Sequence, residues 1–496
     1  MNVPMVGSPP SHRNLPAGGR IRLDPRVRLW AGGQVLIGGS PWRVSRLAPV
    51  ARDFVRQLVR DGPAGTRLSS APDRAVARVL IDRGFAILTT EPHHLPSECP
   101  VVVPAMDRPA SLDRCLASLA RESVHVVDDA STDSEAIAAV TAAHGAHLHR
   151  HTFNQGPAAA RNTGLNGTTG EFVAFLDSDC VAPPGWAGRM LHHFDDPAVA
   201  AVAPRVVPSP PVSSVLERYE ASRSSLDMGR HPELVRPRSR LGFVPSAALI
   251  VRREALGASG FDQDLRLGED VDLVWRLAEA GWHVRYDPTV TVSHETRARP
   301  SQWLRRRYDY GTSAAALERR HPGNLAPARV SAWNLATLGL VAARRPLAAA
   351  SVSVAAVVAL TLRIRSLPRG PQLAGRVVLQ GFVADGASIG HLLRREWWPV
   401  GCAALLLSPR SRTARTLVAC MLGPIAWEWL TTDTRLDPVR YTALRLLDDA
   451  AYGTGVIASS VTSRVAAPLV PRVRLPEIGN ARVRLPGVAR RPEARP

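Results

Sequence analysis

Two short strand-like runs in this sequence each end abruptly in acid. Residues 123–127, Ser-Val-His-Val-Val, run into Asp128-Asp129, and Phe172-Val173-Ala174-Phe175-Leu176 runs into Asp177-Ser178-Asp179. Runs of five with β-branched and aromatic residues read as strands. Burying an unpaired carboxylate is costly, so a strand closing on bare Asp must end at an edge open to water or ligand. Around these runs strand and helix patterns alternate. Residues 100–104 and 147–150 read as strands, and residues 111–121, 137–144 and 157–166 as helices. Leu112, Leu116 and Leu119 share one helix face. This alternation predicts an α/β fold: a doubly wound, mostly parallel sheet with helices on both faces. Ligands collect at the carboxyl ends of the strands in such sheets, which is where the acids fall.

The rest of the chain divides by composition. Residues 1–19 are Pro/Gly/Ser-rich without an apolar segment, and are expected to be a disordered tail rather than a secretory signal. Residues 20–92 hold short alternating strands, helices near 50–59 and 73–82 and an extended Phe85-Ala86-Ile87-Leu88, as in a small winged-helix-like module. A linker follows over 92–100, then the sheet domain over 98–325. Residues 326–458 are helical and apolar. The uncharged run 346–362 is flanked by Arg344-Arg345 and by Arg363 and Arg365. At 17 residues it falls just short of the roughly 20 needed to span a bilayer. Runs 399–407 and 417–430 are shorter, and the second carries Glu428. Arginines on both flanks suit a helix lying in a membrane surface as well as one crossing it, so membrane contact at the cytoplasmic face is expected. Residues 459–496 read as a loosely ordered Pro/Arg-rich tail.

The formal charge of +19 does not make this a nucleic-acid-binding chain. All 62 basic residues are Arg, a uniform replacement that suggests coding bias, and they concentrate near the ends and beside apolar segments. Anionic lipid or diphosphate explains them at least as well. Five widely spaced cysteines, none with zinc-like or redox spacing, suit a reducing compartment.

In Asp177-Ser178-Asp179 the two carboxylates can approach one divalent cation, Mg²⁺ or Mn²⁺, which then bridges to a diphosphate. Spacing alone is weak evidence, since Asp262-Gln263-Asp264 and Asp270-Val271-Asp272 share it. The strand-terminal position singles out the first pair.

With these residues the chain resembles the family 2 glycosyltransferases. The resemblance lies in Val101-Val102-Val103-Pro104, the run from Val127-Asp128-Asp129 to Asp133, and the run from Asn154-Gln155-Gly156 through Arg161 to Gly164. Asp177-Ser178-Asp179 and Gly268-Glu269-Asp270 complete it. These motifs cover about 225 residues in the family's order. The resemblance implies a GT-A fold, a nucleotide-sugar donor and an inverting, metal-dependent transfer. It places Pro104 and Asp107 beside the nucleotide, Asp129 on the base, Arg161 near the donor and Asp177 on the ribose or sugar. Asp179 would ligate the metal, with His294 near the metal or the acceptor. Asp270 would be the general base, with Glu269 beside it at the substrate. Residues 302–308 resemble the Gln-x-x-Arg-Trp run of processive members, implying that Gln302 and Arg305 hold diphosphate; Arg306 stands in the place of the Trp. A helix N-terminus lowers the pKa of Asp270, so burial or Glu269 must oppose that for a good base.

Over its whole length the chain is similar to the glycosyltransferases of the mycofactocin system, with a first module like the peptide-recognition modules of ribosomal-peptide maturation. That implies glucose transfer from UDP-glucose to a peptide-derived redox-cofactor precursor, giving a short β-linked glucan. A lipid or polysaccharide acceptor at a membrane is the alternative.

Overall fold

The computed structural model describes residues 5–9, 14–89, 99–210, 213–257, 260–296 and 299–474. Most of the expected linker and the end of the tail lie outside them. The centre of the chain is a nine-stranded sheet. Its strands run in the order Cys180–Val181, His283–His294, Val199–Pro208, Ala248–Arg252, Phe172–Leu176, Val101–Ala105, Val124–Asp128 and His147–Arg150. Glu233–Val235 also pairs with His283–His294. The last four strands of that order pair in parallel, as the alternation predicts. The other half is mixed, because Ala248–Arg252 runs antiparallel to both its neighbours.

The strands read as continuous apolar runs because helices cover both faces. Val101, Val103, Val126 and Leu176 join one core, and Val102, Val127, Val173 and Phe175 join the other. Successive side chains point to opposite faces, so each strand feeds both cores.

Over the described residues 20–89 the structure has two α-helices, Pro49–Asp61 and Ala71–Asp82, and two three-stranded antiparallel sheets. The unit docks on the central domain through one buried ion pair and one contact of a neutral imidazole. Arg78 lies 2.7 Å from Asp196, and His283 3.2 Å from Asp82. Its second sheet packs Val35 and Ile37 against Leu360, Ile364 and Leu373 of the C-terminal helices.

Two expected tails are structured in part. In residues 5–9 the Gly7 amide donates to Ala255 O at 3.1 Å, and Trp282 Nε1 donates to Gly7 O at 2.6 Å. Pro/Gly/Ser composition had suggested disorder, but these backbone groups find partners on the central domain. At the other end, helix Pro438–Ser463 runs past residue 459, and Arg472–Arg474 pairs in parallel with Arg329–Ser331.

Among the described residues, six helices of ten or more residues follow residue 331: Ala332–Ala342, Pro346–Arg363, Gly370–Arg394, Trp398–Leu407, Arg412–Thr431 and Pro438–Ser463. Among the described residues, Pro346–Arg363 is the one helix long and apolar enough to cross a membrane, with mean hydropathy 1.7 and 11% of it buried. Helix Pro438–Ser463 lies directly against Pro300–Thr312. Glycine makes that approach possible: a Cβ on Gly455 would stand 2.0 Å from Tyr308 O, and one on Gly311 would stand 2.1 Å from Tyr452 O.

Candidate active site

The acids at the strand ends open into a cleft of about 870 Å³. One wall is the carboxyl edge of the sheet. Asp129 ends its strand and accepts the Gln155 and Gly156 amides, each at 2.8 Å. His151 Nδ1 lies 2.8 Å from the same carboxylate, and His151 Nε2 is 2.8 Å from Thr163 Oγ1. Asp129 therefore anchors the turn that starts helix Pro157–Asn166. That helix carries Arg161, which is 3% exposed. Arg161 donates to Asp177 Oδ1 and to Glu269 Oε1, both at 2.8 Å. One guanidinium thus joins the second strand-end acid to the acid beside Asp270.

Glu269 and Asp270 open helix Glu269–Glu279, after Gly268 at φ 82°. Only glycine adopts that left-handed turn without cost, and it brings both acids straight from the loop into the first helical turn. Asp270 accepts the Val271 amide at 2.8 Å and the Ser246 amide at 3.3 Å. Burial raises the pKa of Asp270, and Arg161 opposes the rise. Burial, and then the charge of Asp270, also raises Glu269, against Arg161. Burial thus overcomes the helix N-terminus, which would otherwise leave too weak a base.

Asp179 lies across from these groups. Its Oδ1 is 3.3 Å from His294 Nε2, and its Oδ2 is 3.7 Å from Arg108 Nη1. Burial pushes the Asp179 pKa up, but His294, Arg306 and Arg108 outweigh it and hold the group at about 2. Burial pulls His294 down, yet its bond to Asp179 leaves it raised. An oxygen and a nitrogen 3.3 Å apart suit two ligands of one divalent cation with bonds of about 2.0–2.2 Å. Asp179 and His294 both line the cleft, so a cation held between them would be open to it. Of the other Asp-x-Asp pairs, Asp272 and Asp262 are tied up in ion pairs. Asp272 is held by Arg276 at 2.7 Å and His321 at 3.0 Å, and Asp262 by Arg320 at 2.8 Å.

The opposite wall belongs to the C-terminal helices. Arg395, Arg445, Asp448, Asp449 and Tyr452 line it, so the cleft extends beyond the domain expected over 98–325. Arg307 joins the walls, 2.8 Å from Asp448 and 2.6 Å from Glu220. Tyr219 OH donates to Asp448 at 2.8 Å. Arg395 stacks on Tyr452, 3.4 Å from the ring centroid. Eight arginines and eight acids line the cleft, so the excess positive charge of the chain sits elsewhere.

Pro104, Asp129, Arg161, Asp177, Asp179, Glu269, Asp270 and His294 all line this one space. Three expected residues do not. Asp107 turns away: its carboxylate accepts the Thr132 amide at 2.8 Å. Gln302 and Arg305 are exposed on the outer face of helix Pro300–Thr312. Arg306, Arg307 and Tyr310 face the cleft instead. The signal for this was Trp303, 5% exposed and bonded to Glu220. A buried Trp marks the inward face, and positions three, four and seven residues on share it. Nothing local marked Arg445 or Asp448 as cleft residues; the one hint was a charged Arg445…Asp448-Asp449 group inside an otherwise apolar helix.

The chain matches the family Glycosyl transferase family 2 over residues 101–258. It is 37% identical to the pre-mycofactocin glycosyltransferase of two strains of Mycobacterium tuberculosis, over 93% of this chain and 99% of theirs. It is 29% identical to the succinoglycan biosynthesis protein ExoU of Rhizobium meliloti, over 38% of this chain and 58% of that one. Among solved structures, a mannosyltransferase of Pyrobaculum calidifontis in complex with GDP-Man and Mn²⁺ aligns with TM-score 0.35 and 18% identity, covering 59% of this chain and 86% of that one. The chain belongs to the family 2 glycosyltransferases of GT-A fold, in the group of the pre-mycofactocin glycosyltransferases.

Proposed function

We propose that this glycosyltransferase moves glucose from UDP-glucose to a peptide-derived mycofactocin precursor with inversion, building a short β-linked glucan. Near full-length similarity to proteins named for pre-mycofactocin supports the acceptor. The observation that carries the mechanism is the pairing at Glu269-Asp270. Both acids line the cleft, and Glu269 is taken up by Arg161, which leaves Asp270 as the base of the pair. One base suits one displacement: Asp270 takes the proton of the acceptor hydroxyl as its oxygen attacks the anomeric carbon from the face opposite the leaving diphosphate.

Asp179 and His294 would hold the divalent cation, Mg²⁺ or Mn²⁺, which when bound offsets charge on the leaving diphosphate. Arg306 and Arg108 stand on the same side and add positive charge there. Pro104 and Asp129, which line the cleft, would contact the nucleotide, and Asp177, fixed by Arg161, the ribose or sugar. Membrane contact at the cytoplasmic face belongs to the same proposal. Leu347, Val354, Val358 and Leu362 are 51–83% exposed along one helix with Arg344, Arg345 and Arg363 at its ends. The test is transfer from UDP-glucose to the purified precursor, with the product anomer read by NMR. A β-glucoside is expected. An α-glucoside, or transfer that proceeds equally well in Asp270→Asn, contradicts the mechanism.

A further inference from the structure

Away from the cleft, three imidazoles share one face of the sheet. His147 and His149 are two residues apart on the edge strand, and His125 pairs with His147 across the parallel ladder. Alternation along the strands puts all three on the same side. His125 Nδ1 lies 3.1 Å from His149 Nε2. The His125 ring centroid is 4.7 Å from that of His147 and 5.4 Å from that of His149.

We propose that His125, His147 and His149 form a second metal site, which takes Zn²⁺ or another divalent cation that prefers imidazole. Two nitrogens each about 2.0–2.1 Å from a tetrahedral zinc stand roughly 3.3 Å apart, close to the His125–His149 separation. His147 is exposed, so its ring can turn to supply the third nitrogen, and water completes the set. His149 is seated by Gly167 at the end of helix Pro157–Asn166: a Cβ there would stand 2.6 Å from the imidazole Cε1. His125 and His147 lie at the amino ends of their strands, whereas the cleft lies at the carboxyl ends. Its ligand chemistry differs as well. Imidazoles select zinc, nickel or copper, and the carboxylate-bearing cleft suits Mg²⁺ or Mn²⁺. Unlike the three imidazoles, which need the His147 ring to turn, the group His192, His193 and Asp287 already has its ligand atoms within 4.8 Å of one another. There, however, His193 is paired to Asp287 at 2.7 Å and His192 Nδ1 to Arg189 O at 2.9 Å, so it reads as a buried ion pair. A cation on the three histidines would tie the edge strand to its neighbour.

The test is calorimetric titration of Zn²⁺ into tag-free, chelator-stripped full-length protein, with thermal melting alongside. One equivalent is expected to bind and to raise Tm. Affinity should fall at least tenfold in His125→Gln and His149→Gln, and be unchanged in Asp179→Asn and His193→Gln. The exposed His147→Gln, which perturbs no packing, should also weaken binding tenfold. Equal binding by the wild type and all three histidine variants overturns the proposal. So does binding lost in Asp179→Asn or His193→Gln, which would place the cation elsewhere.

Discussion

The sheet wall and the helix wall of the cleft hold their charges by different means. On the sheet wall, backbone amides share the work with Arg161 and His294. Asp129 takes the amides of Gln155 and Gly156, and Asp270 takes that of Val271. On the helix wall, side chains far apart in sequence do it. Asp448 is held by Tyr219 and Arg307, and Arg445 lies 2.6 Å from Asp449 and 3.5 Å from Glu428. Strand ends and helix starts present carboxylates wherever the topology repeats, so one wall is a property of the fold. The other exists only in a chain that carries the matching partners. Buried ion pairs contribute little net stability, but breaking one leaves an uncompensated charge. They therefore fix how the C-terminal helices seat on the sheet domain.

The largest effect should come from the sheet wall. Asp270→Asn should lower kcat by about 10²–10⁴-fold, with donor binding by calorimetry unchanged. A variant that keeps its kcat would remove the base from this wall. Next is the guanidinium that joins the acids. Arg161→Gln leaves Glu269 and Asp177 without their cation, and should cost about 3–5 kcal/mol in denaturant unfolding. Arg161 favours the ionised form of Asp270, so its loss raises that pKa further. The reaction needs the carboxylate, so the acid limb of the kcat profile should move to higher pH. A shift to lower pH would contradict the arrangement.

The helix wall is tested by crowding its seat. A methyl on Gly455 cannot fit 2.0 Å from Tyr308 O, so Gly455→Ala should lower stability by about 1–3 kcal/mol and raise the KM for acceptor more than for donor. Equal change in both KM values would mean that the two walls are not separate. The smallest effect belongs to the seam with the first module, away from both walls. Burial holds His283 at about 4, below its usual value near 6.5. The unfolded chain therefore binds more protons between those values, and stability present above pH 6.5 is lost as pH falls toward 4. From about pH 7 to about pH 5.5 that amounts to about 1 kcal/mol, and it should shrink in His283→Gln. KM values at neutral pH should not move in that variant.

The same contrast explains what could be read from the sequence. Apolar strands ending in Asp128-Asp129 and Asp177-Ser178-Asp179 announced the sheet wall, because local topology places those residues. The mixed half of the sheet was hidden, since an antiparallel strand such as Ala248–Arg252 looks like a parallel one when both faces are buried. Motif spacing points to Gln302 and Arg305, which lie exposed outside the cleft lining, whereas Trp303 beside them is buried. The helix wall was illegible because its pairs span long separations: Tyr219 and Asp448 are 229 residues apart. No periodicity reports such a contact. Gly7 on Trp282 is another such case, where a composition typical of disorder meets a partner elsewhere.

The proposed function puts the donor on the sheet wall, and we propose the helix wall, which lines the same cleft, as the acceptor side. The direct test is initial-rate kinetics with both substrates varied, comparing Asp179→Asn with Asp448→Asn. The account predicts that Asp179→Asn raises the donor KM and the metal requirement while leaving the acceptor KM within about twofold. Asp448→Asn should raise the acceptor KM by about tenfold, the loss of roughly 1.4 kcal/mol, and leave the donor KM unchanged. If Asp448→Asn instead changes the donor KM, or changes neither, the far wall is not an acceptor site and the account is wrong.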